Sequence, residues 1–192
     1  MLRYLIALLT LLIFTGCVHD ISVAPELSKI EKTRPVTIHR TVAYYIPKER
    51  YEKSAQTPGG NNDKLRYSPY KDTEVAFKKV LDNVFTEVHK ISSLDDEKIK
   101  KHNIRFIFIP EIETMSFSNS NVDWQPTKFN MILKVQVLKA DKSKLFTSYA
   151  QGKGVANFGR YQDNPTYAVE IASRSAFLQF QDEIITKRKR FK

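Results

Sequence analysis

Cysteine is nearly missing from this chain: Cys17 stands alone among 192 residues. A lone thiol excludes an intrachain disulfide, dithiol redox work and a cysteine-rich metal centre, so burial must hold the fold. Histidine is scarce too. His19, His39, His89 and His102 are scattered, no two have the spacing of a metal-ligand pair, and no metal site is expected from them. A Gly-x-Ser-x-Gly elbow and a His-Glu-x-x-His helix are both absent. Gly152-Lys153-Gly154 lacks the Gly-Lys-Ser/Thr ending of a phosphate loop, and Glu111 and Glu113 have no opposing acid for glycosidase chemistry. Asp95-Asp96-Glu97 suits the first turn of a helix, where the dipole favours carboxylates. The expectation is a non-catalytic protein with no catalytic residues, no metal and no cofactor.

Long apolar runs are equally rare. The exception is Leu5 to Phe14, preceded by Arg3 and followed by Thr15-Gly16-Cys17, a run too short to span a membrane as a helix. A positive start, a short apolar core and small residues before a cleavage point make a secretory signal. Phe14-Thr15-Gly16-Cys17 resembles the lipobox of bacterial lipoproteins, with Phe14 departing from the usual leucine. The resemblance implies cleavage before Cys17, diacylglycerol on its sulfur and an acyl chain on its amine. Val18 in place of aspartate implies transport to the outer membrane, so the expected address is the periplasmic face of that membrane, held by lipid on Cys17.

On this reading residues 1 to 16 are a signal peptide and residues 17 to 34 a lipidated N-terminus and tether. Residues 35 to 186 then form a single domain with a long loop at 47 to 71, and residues 187 to 192 are a basic tail. The chain carries 31 Lys and Arg against 21 Asp and Glu, a formal charge of +10. The leader removes only Arg3, so the exported part stays strongly basic. Such a charge attracts lipopolysaccharide phosphates, anionic headgroups, acidic glycans or nucleic acid. Export excludes nucleic acid. The tail, Lys187-Arg188-Lys189-Arg190-Phe191-Lys192, reads as a frayed soluble end in preference to a binding arm.

Val36, Ile38, Val42, Tyr44 and Ile46 alternate with polar neighbours and predict a strand. Asp72 suits an N-cap, and Phe77, Leu81, Val84, Val88 and Ile91 recur at helical spacing, which predicts an amphipathic helix over 72 to 91. Residues 104 to 109 form a dense run of branched and aromatic residues, expected as a central strand that resumes after Pro110. Phe129, Met131, Leu133, Val135 and Val137 give the cleanest alternation, followed by a short connection and a partner strand at 145 to 155. Asn164-Pro165 opens a helix carrying Val169, Ala172, Ala176, Phe180 and Ile184 on one side. The economical arrangement is α+β: a mostly antiparallel four-stranded sheet with two amphipathic helices on one face, in the order β-α-β-β-β-α.

The predicted helix at 72 to 91, the strands at 104 to 117 and 129 to 137, the partner ending Gln151-Gly152-Lys153-Gly154 and the alanine-bearing last helix resemble the YajG-type uncharacterised lipoproteins. They are more distantly similar to the lipoprotein subunit of the lipopolysaccharide-export translocon and other small assembly lipoproteins. The resemblance implies no catalytic residues.

The loop at 47 to 71 departs from that pattern. Tyr51, Tyr67 and Tyr70 lie among Lys48, Arg50, Lys53, Lys64, Arg66 and Lys71, a mixture able to stack on sugar rings and pair with phosphate. It equally suits a mobile insert whose tyrosines pack on the domain. Trp124, the sole tryptophan, suits either a partner anchor or the cap of a sheet. Tyr51, Arg66, Tyr67, Tyr70 and Trp124 are therefore the candidate contacts beside the lipidation site Cys17. Two roles follow as expectations: a structural or assembly lipoprotein docked on an envelope or secretion complex, or a binding module for an anionic glycolipid or polysaccharide such as lipopolysaccharide.

Overall fold

The computed structural model describes residues 17–118, 125, 127–157, 159–160, 164 and 166–192. Their strands are β1 (Val18–Asp20), β2 (Ile38–Tyr44), β3 (Ala55–Pro58), β4 (Lys64–Tyr67), β5 (Phe85–Lys90), β6 (Phe106–Phe117), β7 (Lys128–Lys139) and β8 (Lys144–Val155). Their helices are α1 (Lys48–Tyr51), α2 (Pro69–Val84), α3 (Lys98–Lys101) and α4 (Tyr167–Thr186). The strands form two sheets, one of three in the order β1-β4-β3 and one of five in the order β5-β2-β6-β7-β8. The class is α+β, but the expected four-stranded sheet gains a fifth strand and a companion sheet. It is also mixed, since β2 runs parallel to both β5 and β6 while β6, β7 and β8 are antiparallel.

The fifth strand comes from the back end of the predicted helix. Helix α2 stops at Val84, and Phe85 turns extended at φ −107° and ψ 158°. Phe85-Thr86-Glu87-Val88-His89-Lys90 is rich in aromatic and β-branched residues, and pairing with β2 recruits it into the sheet. The helix also opens earlier than expected, with Ser68 at the N-cap and Pro69 in the first turn. Asp72 is thus released from capping, and its carboxylate accepts the Val23 amide at 3.1 Å.

That contact belongs to a wider correction. The polar stretch after Cys17, expected as a tether, is packed on the domain, with β1 paired to β4 and Val23 and Ile30 fully buried. The buried Gln181 of α4 donates to the Glu31 carbonyl at 2.9 Å and to Thr33 Oγ1 at 3.1 Å, and accepts from Asn83 of α2 at 2.8 Å. A buried amide satisfied on both its ends fixes the strap between the helices. The segment 47 to 71 is likewise no loop: it contains α1 and the β3-β4 hairpin, whose turn uses Asn61 and Asn62 at positive φ.

Phe129, Met131, Leu133, Val135 and Val137 all face the helices and are fully buried. Phe77 of α2 and Phe180 of α4 stack at 5.5 Å above them. On the opposite face Ala43, Ile107 and Leu138 pack with Ile91 and Ile104 as a smaller cluster, covered by the segment carrying α3. Farther along that face Met115, Phe117, Tyr149 and Val155 are exposed.

The basic tail is not frayed. Arg188–Phe191 forms a 3-10 turn, and Phe191 is buried among Phe85, Phe106, Phe108 and Phe146, with centroids 5.1 to 6.0 Å away. Lys187 and Arg190 lie over the Phe146 ring at 4.9 and 5.7 Å, so the cations close the plug over an aromatic face. Replacing Phe191 by alanine is expected to cost about 3 to 5 kcal/mol in urea unfolding, with exposed Lys189→Ala as the silent control.

Helix α4 lies directly on β8. A Cβ added at Gly152 would stand 1.8 Å from the Ala172 carbonyl oxygen, and one at Gly154 only 1.7 Å from that of Ala168. Both obstacles are backbone, so the helix would have to lift. Gly152→Ala is expected to lose about 3 kcal/mol or more in the same measurement, whereas Gly159→Ala, with nothing within 4 Å, is tolerated.

Candidate functional site

Cys17 is exposed and stands at the mouth of the small sheet. Its amide donates to Asp63 Oδ1 at 2.7 Å, and its carbonyl accepts the Lys64 amide at 2.9 Å. Strand β1 starts at the next residue, and the Ile21 amide closes its far end by donating to the Arg66 carbonyl. The β3-β4 turn supplies the clamp: Gly59 N–H reaches the Asp63 carbonyl and Asp63 N–H the Gly60 carbonyl, which aims the Asp63 carboxylate at Cys17. His19 Nε2 lies 2.7 Å from Asp63 Oδ2. This His19 hydrogen bond, reinforced by the Cys17 amide, holds the Asp63 carboxyl below the usual aspartate range against a smaller opposing effect of burial.

The other candidate contacts do not converge on one another. Arg66 forms a bidentate pair with Asp20, 2.6 Å at both nitrogens, tying β4 to β1 at the surface. Tyr67 is 3% exposed and faces inward, its hydroxyl donating to Thr114 Oγ1 at 2.6 Å and its ring packed edge-on against Phe129. Tyr70, 4% exposed, accepts the Ile112 amide on its hydroxyl. Tyr51 is partly buried at the end of α1 beneath Lys90 and Lys71, whose ammonium groups lie 4.8 and 5.9 Å from its ring centre. The tyrosines therefore join the small sheet, α1 and α2 to the main sheet, and the rings of Tyr67 and Tyr70 are buried in that junction. Trp124 lies outside the described residues.

Two side chains that the sequence separates do meet. His89 on β5 and His102 at the end of α3 have ring centroids 4.1 Å apart, and Glu87 Oε1 is 2.9 Å from His89 Nε2. Spacing rules miss this pair because 12 residues and a helical turn intervene. Among the described residues no helix is long and apolar enough to cross a membrane.

No family model and no curated protein matches the chain. Among solved structures, a Xanthomonas campestris protein of the DUF330 family is 12% identical with a TM-score of 0.41, the match covering 89% of this chain and 90% of that one. A PelC dodecamer from Paraburkholderia phytofirmans is 10% identical with a TM-score of 0.43, covering 77% of this chain and 89% of that one. A candidate lipoprotein from Caulobacter crescentus is 12% identical with a TM-score of 0.29, covering 45% and 68%. With every TM-score below 0.5, these likenesses carry no argument about function.

Because Asp63 binds its proton less readily when folded, its contribution is present above the ordinary aspartate pKa and is lost as pH falls through the lowered one. Acidification through that window, or Asp63→Ala at neutral pH, is expected to speed amide exchange at Lys64 and Ile21 several-fold relative to β7 amides. Hydrogen exchange read by NMR checks both.

Proposed function

We propose that this chain is an outer-membrane lipoprotein facing the periplasm, anchored by lipid on Cys17, with a non-catalytic structural or assembly role in an envelope or secretion complex. The observation that carries the reading is the seating of Cys17: it is exposed, preceded by a lipobox-like sequence, and hydrogen-bonded to the domain through both backbone groups. The Asp63 contact uses an N–H, a donor that acylation of the Cys17 amine retains. Two or three acyl chains on one residue would satisfy the two-signal requirement for stable anchoring.

The assembly role draws on the outer face of β6, β7 and β8, whose far end is exposed among the described residues. Met115 and Tyr149 are 67% and 58% exposed, Phe117 and Val155 more than half, and Lys134 pairs with Glu111 in the same cross-strand row as Tyr149. Exposed methionine and aromatic side chains set among charged ones on a regular sheet are suited to a protein partner. The glycolipid alternative is less supported, since Tyr67 and Tyr70 are buried and Arg66 is already paired to Asp20.

Cys17→Ala is expected to move the protein out of the membrane fraction while its circular dichroism spectrum stays unchanged. In the native envelope, photo-crosslinkers at Met115 or Tyr149 should give one defined protein adduct that a crosslinker at Val75, exposed on α2, does not give. Equal labelling from all three positions would remove the assembly reading, and membrane retention of an unlipidated Cys17→Ala chain would remove the anchor.

A further inference from the structure

We infer that Glu87, His89 and His102 form a binding site for one divalent transition-metal ion of the zinc type. Glu87 and His89 alternate on β5 and so project from the same face, and register with Thr41 and Ala43 of β2 places them on the outer side of the main sheet. His102 arrives from the other direction, at the C-terminal end of α3. One donor atom from each of the three side chains lies within 4.8 Å of the others. A tetrahedral zinc with bonds of about 2.0 to 2.2 Å sets its donors about 3.4 Å apart, so side-chain rotations of about 1 Å complete the set. Two imidazoles and one carboxylate are the donor types that zinc and its neighbours prefer, and three protein ligands leave a fourth position for water or an outside donor.

The surroundings hold these ligands in place. Thr41 Oγ1 donates to Glu87 Oε2 at 3.2 Å, the kind of outer contact that orients a ligating carboxylate. Asp96 accepts from the Ser92 amide at 2.8 Å and the Lys98 amide at 3.0 Å, ordering the turn that leads into α3. Asn103 at φ 48° then reverses the chain, and the buried Ile104 fixes the end of the segment. Glu87 is exposed and His89 and His102 are half-buried, which gives an ion and its fourth donor access from solvent. Occupancy would bolt the edge strand β5 to the segment covering the outer cluster.

Zinc chloride titrated into the full-length chain in detergent, followed by calorimetry, is expected to show one equivalent bound. His89→Ala and His102→Ala should weaken binding at least about tenfold, while His19→Ala and His39→Ala leave it unchanged. Cobalt(II) should give the intense visible bands of a tetrahedral site in the wild type and not in His102→Ala. Should a histidine variant fail to fold, Glu87→Gln, an exposed and near-isosteric change, must still weaken zinc uptake. No saturable uptake by the wild type, uptake undiminished in the His89→Ala/His102→Ala double variant, or an equal loss in His39→Ala would overturn the site.

Discussion

The close approach of α4 to β8 sets the spacing on which the rest of the domain is built. Where Gly152 and Gly154 carry no side chain, the helix backbone at Ala168 and Ala172 descends onto the strand. That descent brings Phe177 and Phe180 to the depth at which they fill the space above β7, and brings Phe180 parallel to Phe77 of α2. With both helices fixed, Asn83 and Gln181 fall within hydrogen-bonding reach, and the strap through Ile30 and Thr33 is captured between them. Two small residues on an edge strand thus decide the depth of the whole helical layer, since close-packed interiors transmit strain.

The long antiparallel strands and α4 were legible because their side chains obey one period over many residues. Phe129 to Val137 alternates without interruption, and the alanines of α4 fall on one helical face. Strand β5 was not legible because Leu81, Val84, Val88 and Ile91 keep the helical period across the point where the backbone turns extended. There the pairing of Phe85 with Ile38 prevails over local pattern. The small sheet escaped notice because its strands are four residues or fewer, too short for a period to show. In the tail, five cations around one phenylalanine masked the residue that matters, Phe191.

The sites divide along the same line. Cys17 is a local feature, readable from the four residues ending at it, whereas its clamp depends on Asp63, 46 residues away. Tyr67 and Tyr70 looked available for a ligand because their neighbours in sequence are basic. In three dimensions the alternation of β4 turns Leu65 and Tyr67 inward and Lys64 and Arg66 outward, so Tyr67 parts company with its basic neighbours. The meeting of His89 with His102 required the correct placement of β5, and no motif encodes it.

A strand hydrogen-bonded from its first residue has no slack. Because β1 lies alongside β4 in parallel register, a pull at Cys17 along the strand loads Cys17–Lys64, Ile21–Arg66 and the Asp20–Arg66 pair together, in shear. A flexible leash would pass only tension and let the body swivel. The joint at Cys17 is stiff, so the direction of the chain at Cys17 and the direction of the exposed face of β6, β7 and β8 are fixed to one another.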